Sequence, residues 1–340
     1  MKQPKAKRPS MYDVAKAAGV SQTTVSFVVN DVVDANISQE TRERVWAAVK
    51  ALGWRPNAMA RSLSLRRSQT IGLISDEVAT SPHAGQIIQG AQDAAWARTK
   101  MLLVVNTGSN HELEHAAVEM LLERQVEGLI YATMYHRPVA PSPLYTQLPT
   151  VLLDCFSPDR TLTSVVPDEE QGGYDATLYL IQRGHRRIGF INNDGPIPAT
   201  LGRMAGYCKA LAEAGIPFDP QLVRTCPGVA AGGYRSTLDL LQQAERPTAL
   251  FCFNDSVAMG AYDAIKQLGL AIPGDVAVIG FDNLELIATQ LNPPLTTLAL
   301  PHYEMGQWAV EYVINNADRP IDGAAPQHMI RCRLVERESV

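Results

Sequence analysis

The sequence predicts two architectures in series: a small all-α helix-turn-helix domain, then an α/β body of two parallel-sheet subdomains. Three observations carry that expectation. The chain has 340 residues, more than the roughly 100–200 that one ordinary domain needs. Its net charge of −5 is the sum of two unlike parts: residues 1–70 hold twelve Lys or Arg against five acidic side chains, a net of +7, and the rest carries −12. From Thr70 onward, short apolar runs alternate with segments of helical period, the pattern that builds parallel sheets covered on both faces. With 46% hydrophobic and 19% charged residues, wholly disordered, collagen-like and fibrous chains are excluded.

A basic front joined to an acidic body points to one module that meets a polyanion and another that does something else. A basic tail over 1–9 is expected to be disordered, followed by the helix-turn-helix module over 10–54. In that module Val14, Ala15 and Ala18 lie at helical spacing, and Gly19 allows the sharp turn that ends the first helix. Ser21 caps a second helix whose Val25, Val28 and Val29 face the first. Gln22, Thr23, Ser26 and Phe27 are left pointing outward, because residues four apart share a face. A helix in this position enters the DNA major groove with its N-terminal residues at the bases. An arbitrary helical hairpin gives the same pattern; the local positive charge favours the DNA reading. A third helix starts at Ser38, carries Val45, Ala48, Val49 and Leu52 as its apolar stripe, and stops at Gly53. Residues 55–69 read as a linker with a short helix over 58–63 that has no core of its own and holds only when docked.

In the body, 71–75, 102–105, 129–131, 151–153, 188–191, 250–253 and 276–281 read as buried strands, and 84–97, 116–124, 173–183, 204–214, 234–243 and 257–268 as helices. The strands end in Asp76, Asn106, Asp154, Asn192, Asn254 and Asp282. Ligands of open α/β sheets sit outside the carboxyl ends of the strands, so these six groups are expected to converge on one cleft. Each singly also reads as the cap of a following helix. No GxGxxG, Walker loop or GxSxG is present. Cys155, Cys208, Cys226, Cys252 and Cys332 are odd in number and widely spaced, and read as reduced core thiols; no spacing suggests zinc, and neither metal nor cofactor is expected. The basic end has no apolar run behind it and no stretch of about 18 apolar residues occurs, so neither a leader nor a membrane span is expected and a cytoplasmic location is read.

The wording from Asp13 to Asn30, DVAKAAGVSQTTVSFVVN, and the segment RPNAMARSL from Arg55 to Leu63 resemble the LacI/GalR family of bacterial transcription regulators. The resemblance continues through Gly184 to Gly189 (GHRRIG), Arg203 to Tyr207 (RMAGY), Asn254-Asp255, Pro273 to Asp282 (PGDVAVIGFD) and Pro294 to Thr297 (PLTT). It implies a helix-turn-helix head, a hinge helix over 55–69 that folds in the minor groove, and a sensor over 70–340 similar to periplasmic sugar-binding proteins. The first half of the sensor is expected at about 70–183 plus 298–323, the second at about 184–297 plus 324–340. For DNA contact the resemblance designates Tyr12, Ser21, Gln22, Thr23, Thr24, Ser26, Phe27 and Asn30, and from the hinge Asn57, Ala60, Arg61 and Leu63, with Leu63 as the wedge between base pairs. Phe27 stands where the family more usually has a polar or basic residue; it touches a thymine methyl or packs at the rim of the small core. Asp76, His83, Asp168, Arg203, Asn254 and Asp282 are the expected effector-binding residues. A guanidinium fork, an amide and a carboxylate suit the paired hydroxyls of a sugar, although Arg203 and Asp282 are also readable as a structural ion pair across the cleft. Where the family often has paired aromatics, this chain has Ser81-Pro82-His83-Ala84, a smaller and more polar wall; His83 and the His185 of the GHRR turn are equally readable as solvated or structural.

The implied partners are a near-palindromic double-stranded operator, a small sugar or sugar derivative, and a second copy of the chain. The sequence ends at Val340, just past the last strand, and a homodimer without an added tetramer helix is expected. A cytoplasmic sugar-binding protein, or a sugar-acting enzyme with Asp154 and Asp282 as carboxylates, are the competing classes on the same α/β fold.

Overall fold

In a computed structural model, residues 9–32, 35–55, 68–77, 84–316 and 324–340 are described. They divide into two compact units, one ending at Ser68 and one beginning at Gln69. The first holds α1 (Met11–Ala18), α2 (Gln22–Val29) and α3 (Gln39–Leu52). Local chemistry fixes its boundaries. Ser10 and Asp13 form a reciprocal capping box at the start of α1, while Ser21 and Ser38 cap α2 and α3 by accepting from the amides of Thr24 and Thr41. Gly19 and Gly53 take the left-handed conformation that closes α1 and α3. Val14, Ala15, Ala18, Val25, Val28, Val45 and Ala48 make the core, and Trp54 seals it. Leu52, expected in the apolar stripe, is exposed.

The second unit contains two six-stranded sheets. In chain order its elements are β1 (Thr70–Ser75), α4 (Ala84–Ala97), β2 (Met101–Asn106), α5 (His111–Glu123), β3 (Leu129–Pro138), β4 (Thr150–Phe156), β5 (Thr163–Asp168), α6 (Glu169–Gln182), β6 (Ile188–Asn193), α7 (Pro198–Glu213), β7 (Val223–Cys226), α8 (Ala230–Leu241), β8 (Ala249–Cys252), α9 (Asp255–Gln267), β9 (Ala277–Asp282), α10 (Glu285–Ala288), β10 (Thr296–Ala299), α11 (His302–Asn315), β11 (Gln327–Arg331) and β12 (Arg333–Val335). The first sheet runs β11-β5-β4-β3-β1-β2, all parallel; the second runs β12-β10-β9-β8-β6-β7, parallel except for β12. Alternate strand residues supply each face. Ile71, Leu73, Ile130 and Leu153 pack under α4 and α11, whereas Ile74, Leu129, Tyr131 and Leu152 pack on the α5 side. Helices on both faces are why these strands read as continuous apolar runs.

The chain crosses between sheets three times, and two of the crossings differ from those the sequence places near 183 and 323. Helix α6, expected in the first half, belongs to the second: its Ala176, Tyr179 and Leu180 are buried with Phe190, Phe251 and Phe281. The crossing therefore falls between Asp168 and Glu169 rather than near 183. Strand β11 is corrected in the opposite direction. Residues 327–331 pair in parallel with β5, from Gln327 opposite Ser164 to Arg331 opposite Asp168, so they extend the first sheet before β12 joins the second.

Candidate functional site

In the first unit, α2 presents one polar side. Ser21, Gln22, Thr23 and Phe27 are exposed, with Phe27 at 39%, and Thr24, Ser26 and Asn30 are partly exposed. Phe27 does not belong to the packed core of the head, whose contributions from this helix are Val25, Val28 and Val29. Ser21 is committed to the amide of Thr24, and Asn30 donates to Ser26 Oγ. Tyr12 on α1 is 60% exposed. Asn57, Ala60, Arg61, Leu63 and His83 lie outside the described residues.

In the second unit the chemistry gathers at the carboxyl ends of both sheets, around Arg203. Its guanidinium is 3% exposed, donates from Nε to Glu169 Oε2 at 2.8 Å and from Nη1 to the Phe253 carbonyl, and lies 3.7 Å from Asp282. The Phe281 and Phe253 rings flank it, with centroids 3.6 and 4.5 Å away. Burial opposes this charge, and the carboxylates of Glu169 and Asp282 outweigh it, so the guanidinium is held above its usual range. Close helix packing sets the geometry. Gly173 of α6 lies against the Arg203 backbone, where an added Cβ would come within 2.4 Å of the carbonyl oxygen, and Gly206 lies equally close to Glu170. Glycine at both contacts brings the helix carrying Arg203 onto the one carrying Glu169.

Across from it, the end of β3 departs from its ladder. Ala132 pairs with Leu153 and Arg137 with Cys155, so residues 133–136 oppose Asp154 alone. This bulge turns the side chains of 134–137 out of the regular alternation. Asp154 itself takes a left-handed backbone, φ +58°, and Asp282 on the second sheet has φ +101°. Strain of this kind in residues other than glycine concentrates at functional sites. Arg137 donates to Asp76 Oδ2 at 3.0 Å, and the Met134 amide donates to the same oxygen. Burial first, then the charges of Glu169, Asp282 and Asp76, push the Asp154 carboxyl well above the carboxylate range, with Arg203 opposing. Asp282 is driven the same way by burial, against the pull of Arg203. His136 is pushed down to about 4, by burial and then by the charge of Arg203, and is a neutral imidazole at ordinary pH.

The family assignment comes from two matches. Residues 10–57 match the bacterial regulatory proteins of the lacI family, and residues 68–336 match the periplasmic binding proteins and sugar binding domain of the LacI family. The chain belongs to the LacI family. It is a DNA-binding transcriptional regulator of that family, with a helix-turn-helix head and a two-sheet body of the periplasmic-binding type. It is 37% identical over 335 residues, 96% of each chain, to the HTH-type transcriptional repressor PurR of Photorhabdus laumondii. It is 35% identical over 311 residues, 92% of each chain, to the ribose operon repressor of Haemophilus influenzae. Among solved structures it matches the lac repressor bound to ONPG in its repressed state, with a TM-score of 0.78 and 29% identity over 98% of this chain and 100% of that one.

Within this LacI-family body, the six strand-end groups do not all converge. Asp76, Asp154 and Asp282 do, each lying in the electrostatic surroundings of the others or of Arg203. Asn106 is exposed on the edge strand and accepts from Ser75. Asn192 is spent on Thr200 and Asn193, and Asn254 on Gly228 and Val257, where it caps α9. Asp168 caps α6 through the Gln171 amide. The Arg203–Asp282 ion pair exists but does not span the cleft, because α7 and β9 belong to the same half. His185 is structural, sharing a hydrogen bond with Thr248. Sequence reasoning passed over Glu169, His136, Arg137, Phe253 and Phe281. Glu169 had a legible signal, an acid in the first turn of a helix that follows a strand-end Asp; His136 sits in a polar stretch, TMYHRP, that reads as loop.

Proposed function

We propose that the chain is a homodimeric repressor that binds a near-palindromic operator and changes its DNA affinity when a sugar-like effector enters the cleft around Arg203. In the head, Tyr12 and the exposed side of α2, with Gln22, Thr23, Ser26 and Phe27, face the DNA, while Ser21, Thr24 and Asn30 hold that helix at the groove. The hinge residues Asn57, Ala60, Arg61 and Leu63 complete the contact. Two-fold symmetry of the protein requires the matching symmetry of the site. The observation that carries the effector reading is the buried Arg203 guanidinium, ringed by Glu169 and Asp282 at the strand ends, where open α/β sheets hold their ligands. Asp76 and His83 are the further effector contacts in this reading, with Asp168 and Asn254, which also cap α6 and α9, at the rim of the site. The names of similar proteins support a sugar: a ribose operon repressor, and the regulator CelR in complex with cellobiose, which this chain matches with a TM-score of 0.66 and 28% identity.

A regulator is favoured over an enzyme on the same fold. Glycoside hydrolysis needs one carboxyl that stays protonated and another that stays ionised, and here burial pushes Asp154 and Asp282 in the same direction. Action in the cytoplasm follows in this reading from the operator DNA that the head binds. Control by effector requires different affinity for the DNA-bound and DNA-free states. Fluorescence anisotropy of DNA selected by the full chain, titrated with each sugar that binds the protein, tests this. Operator affinity is expected to change about tenfold, within the usual range of allosteric coupling; an unchanged affinity for every bound ligand overturns it.

A further inference from the structure

The wall of the cleft opposite Arg203 holds polar atoms that no described residue satisfies. Both ring nitrogens of His136 and Oδ1 of Asp154 are buried without a hydrogen-bond partner among the described residues. Asp154 is 3% exposed, and the edge of the His136 ring packs on Phe156, 5.6 Å between centroids. Buried polar groups in native structures are nearly always paired, because an unpaired one forfeits its hydration with nothing in return. The orphaned atoms come from one structural device, the bulge of β3 opposite the left-handed Asp154. They face the same buried charge: Arg203 acts on both His136 and Asp154.

We propose that His136, with Asp154 opposite it in the ladder, binds the effector directly, and that this wall selects an uncharged, hydroxyl-bearing ligand and disfavours its anionic ester. The proposal rests on reading the cleft as the effector site. Charge pairing decides the ligand class. The two guanidinium groups described at the site are already engaged, Arg137 with Asp76 and Arg203 with Glu169 and Asp282. A phosphate or carboxylate ligand would have to break one of those pairs while facing the remaining acids. A hydroxyl needs no such exchange. It both donates and accepts, which matches a neutral imidazole, with one donor and one acceptor nitrogen, and the orphaned carboxyl oxygen of Asp154.

Isothermal titration calorimetry of the full chain tests this with D-ribose, D-glucose and cellobiose as neutral probes and D-ribose 5-phosphate, D-glucose 6-phosphate and inorganic phosphate as anionic ones. At least one neutral sugar is expected to bind, with its phosphate ester at least about tenfold weaker. For that sugar, His136→Ala is expected to lose about tenfold in affinity, the equivalent of one or two hydrogen bonds, and His136→Asn to recover part of it. Asp154→Asn, which keeps an acceptor oxygen at the same place, is expected to retain binding. A role in packing alone would lower the melting temperature of His136→Ala without changing affinity, and that result overturns the proposal. So does tighter binding of an ester or of phosphate, or the absence of binding by every neutral probe. Should His136→Ala not fold, the His136→Asn titration decides alone, an unchanged affinity counting against the proposal. Operator binding measured on the same samples with and without sugar separates the two readings: its absence in both states would remove the regulator function and leave the calorimetry standing.

Discussion

Arg203 donates from Nε to Glu169 Oε2 at 2.8 Å, and the two side chains are 3% and 7% exposed. This pair joins the first residue of α6 to the second turn of α7 and places a full positive charge beneath the strand ends. Arg203→Ala would leave Glu169 buried with no partner for its charge. The expected loss is about 3–5 kcal/mol of folding stability, read from urea denaturation. Arg203→Lys keeps the charge but cannot serve Glu169 and the Phe253 carbonyl from one fork, so an intermediate loss is expected. A loss below 1 kcal/mol for Arg203→Ala would mean that the pair is not what holds these helices at this end.

The same helices meet through Gly173, where a methyl group would sit 2.4 Å from the carbonyl oxygen of Arg203. Backbone atoms cannot rotate out of the way as a flexible side chain does. Gly173→Ala is therefore expected to cost about 1–3 kcal/mol, the usual range for overpacking, and to weaken effector binding because it shifts the Arg203 backbone. Calorimetry and denaturation on one sample distinguish this from a simple loss of folded protein.

Which parts of the body were legible in the sequence follows from where its strands lie. Strands such as β1 and β9 are buried on both faces, and their apolar runs are read correctly to within a residue or two. Strand β5 carries Thr163, Ser164 and Pro167, and β11 carries Gln327, His328 and Arg331, so neither shows an apolar run. Missing them moved the crossings between the halves, since sheet membership depends on hydrogen-bond partners far apart in sequence. At the site, Asp76, Arg203 and Asp282 were readable from strand ends and motif. His136 was not, because a bulge brings it there and no local pattern of residues encodes that bulge.

Stability should depend on pH through two groups of opposite sense. Asp255 accepts from Thr297 Oγ1 and the Leu284 amide at 2.6 Å, yet burial pushes its carboxyl up to about 7. Between about 4 and 7 the unfolded chain has released this proton and the folded chain has not. Stability from this group is full at low pH and is lost as pH rises through 7, with a slope of about 1.4 kcal/mol per pH unit for one such site. His136 works the other way: its folded value near 4 lies below the ordinary 6.5, so its contribution rises with pH across that window. Asp255→Asn, which resembles the protonated acid, removes the falling contribution and leaves that of His136, so the slope of stability against pH between 4 and 7 should become more positive than in wild type by about 1.4 kcal/mol per unit, at little cost at pH 4. A variant with the wild-type slope of urea midpoint against pH would show that Asp255 does not titrate there.

In the head, Gln22 and Thr23 occupy the exposed first turn of α2, while Ser21 is tied to the Thr24 amide. The two kinds of residue should therefore fail differently. Ser21→Ala removes a cap and is expected to destabilise the head by about 1 kcal/mol. Gln22→Ala removes no contact of the core, so the melting transition should not move. What should change is base reading: an amide that pairs bidentately with a base edge is worth about 1–3 kcal/mol of discrimination, and Gln22→Ala should bind the selected operator more weakly while its affinity for unrelated DNA stays the same. Because a base contact displaces no phosphate counterion, the slope of log affinity against log salt should match wild type. A uniform loss on all sequences with a shallower salt slope would place Gln22 on the backbone and move the base-reading role to Thr23, Ser26 and Phe27.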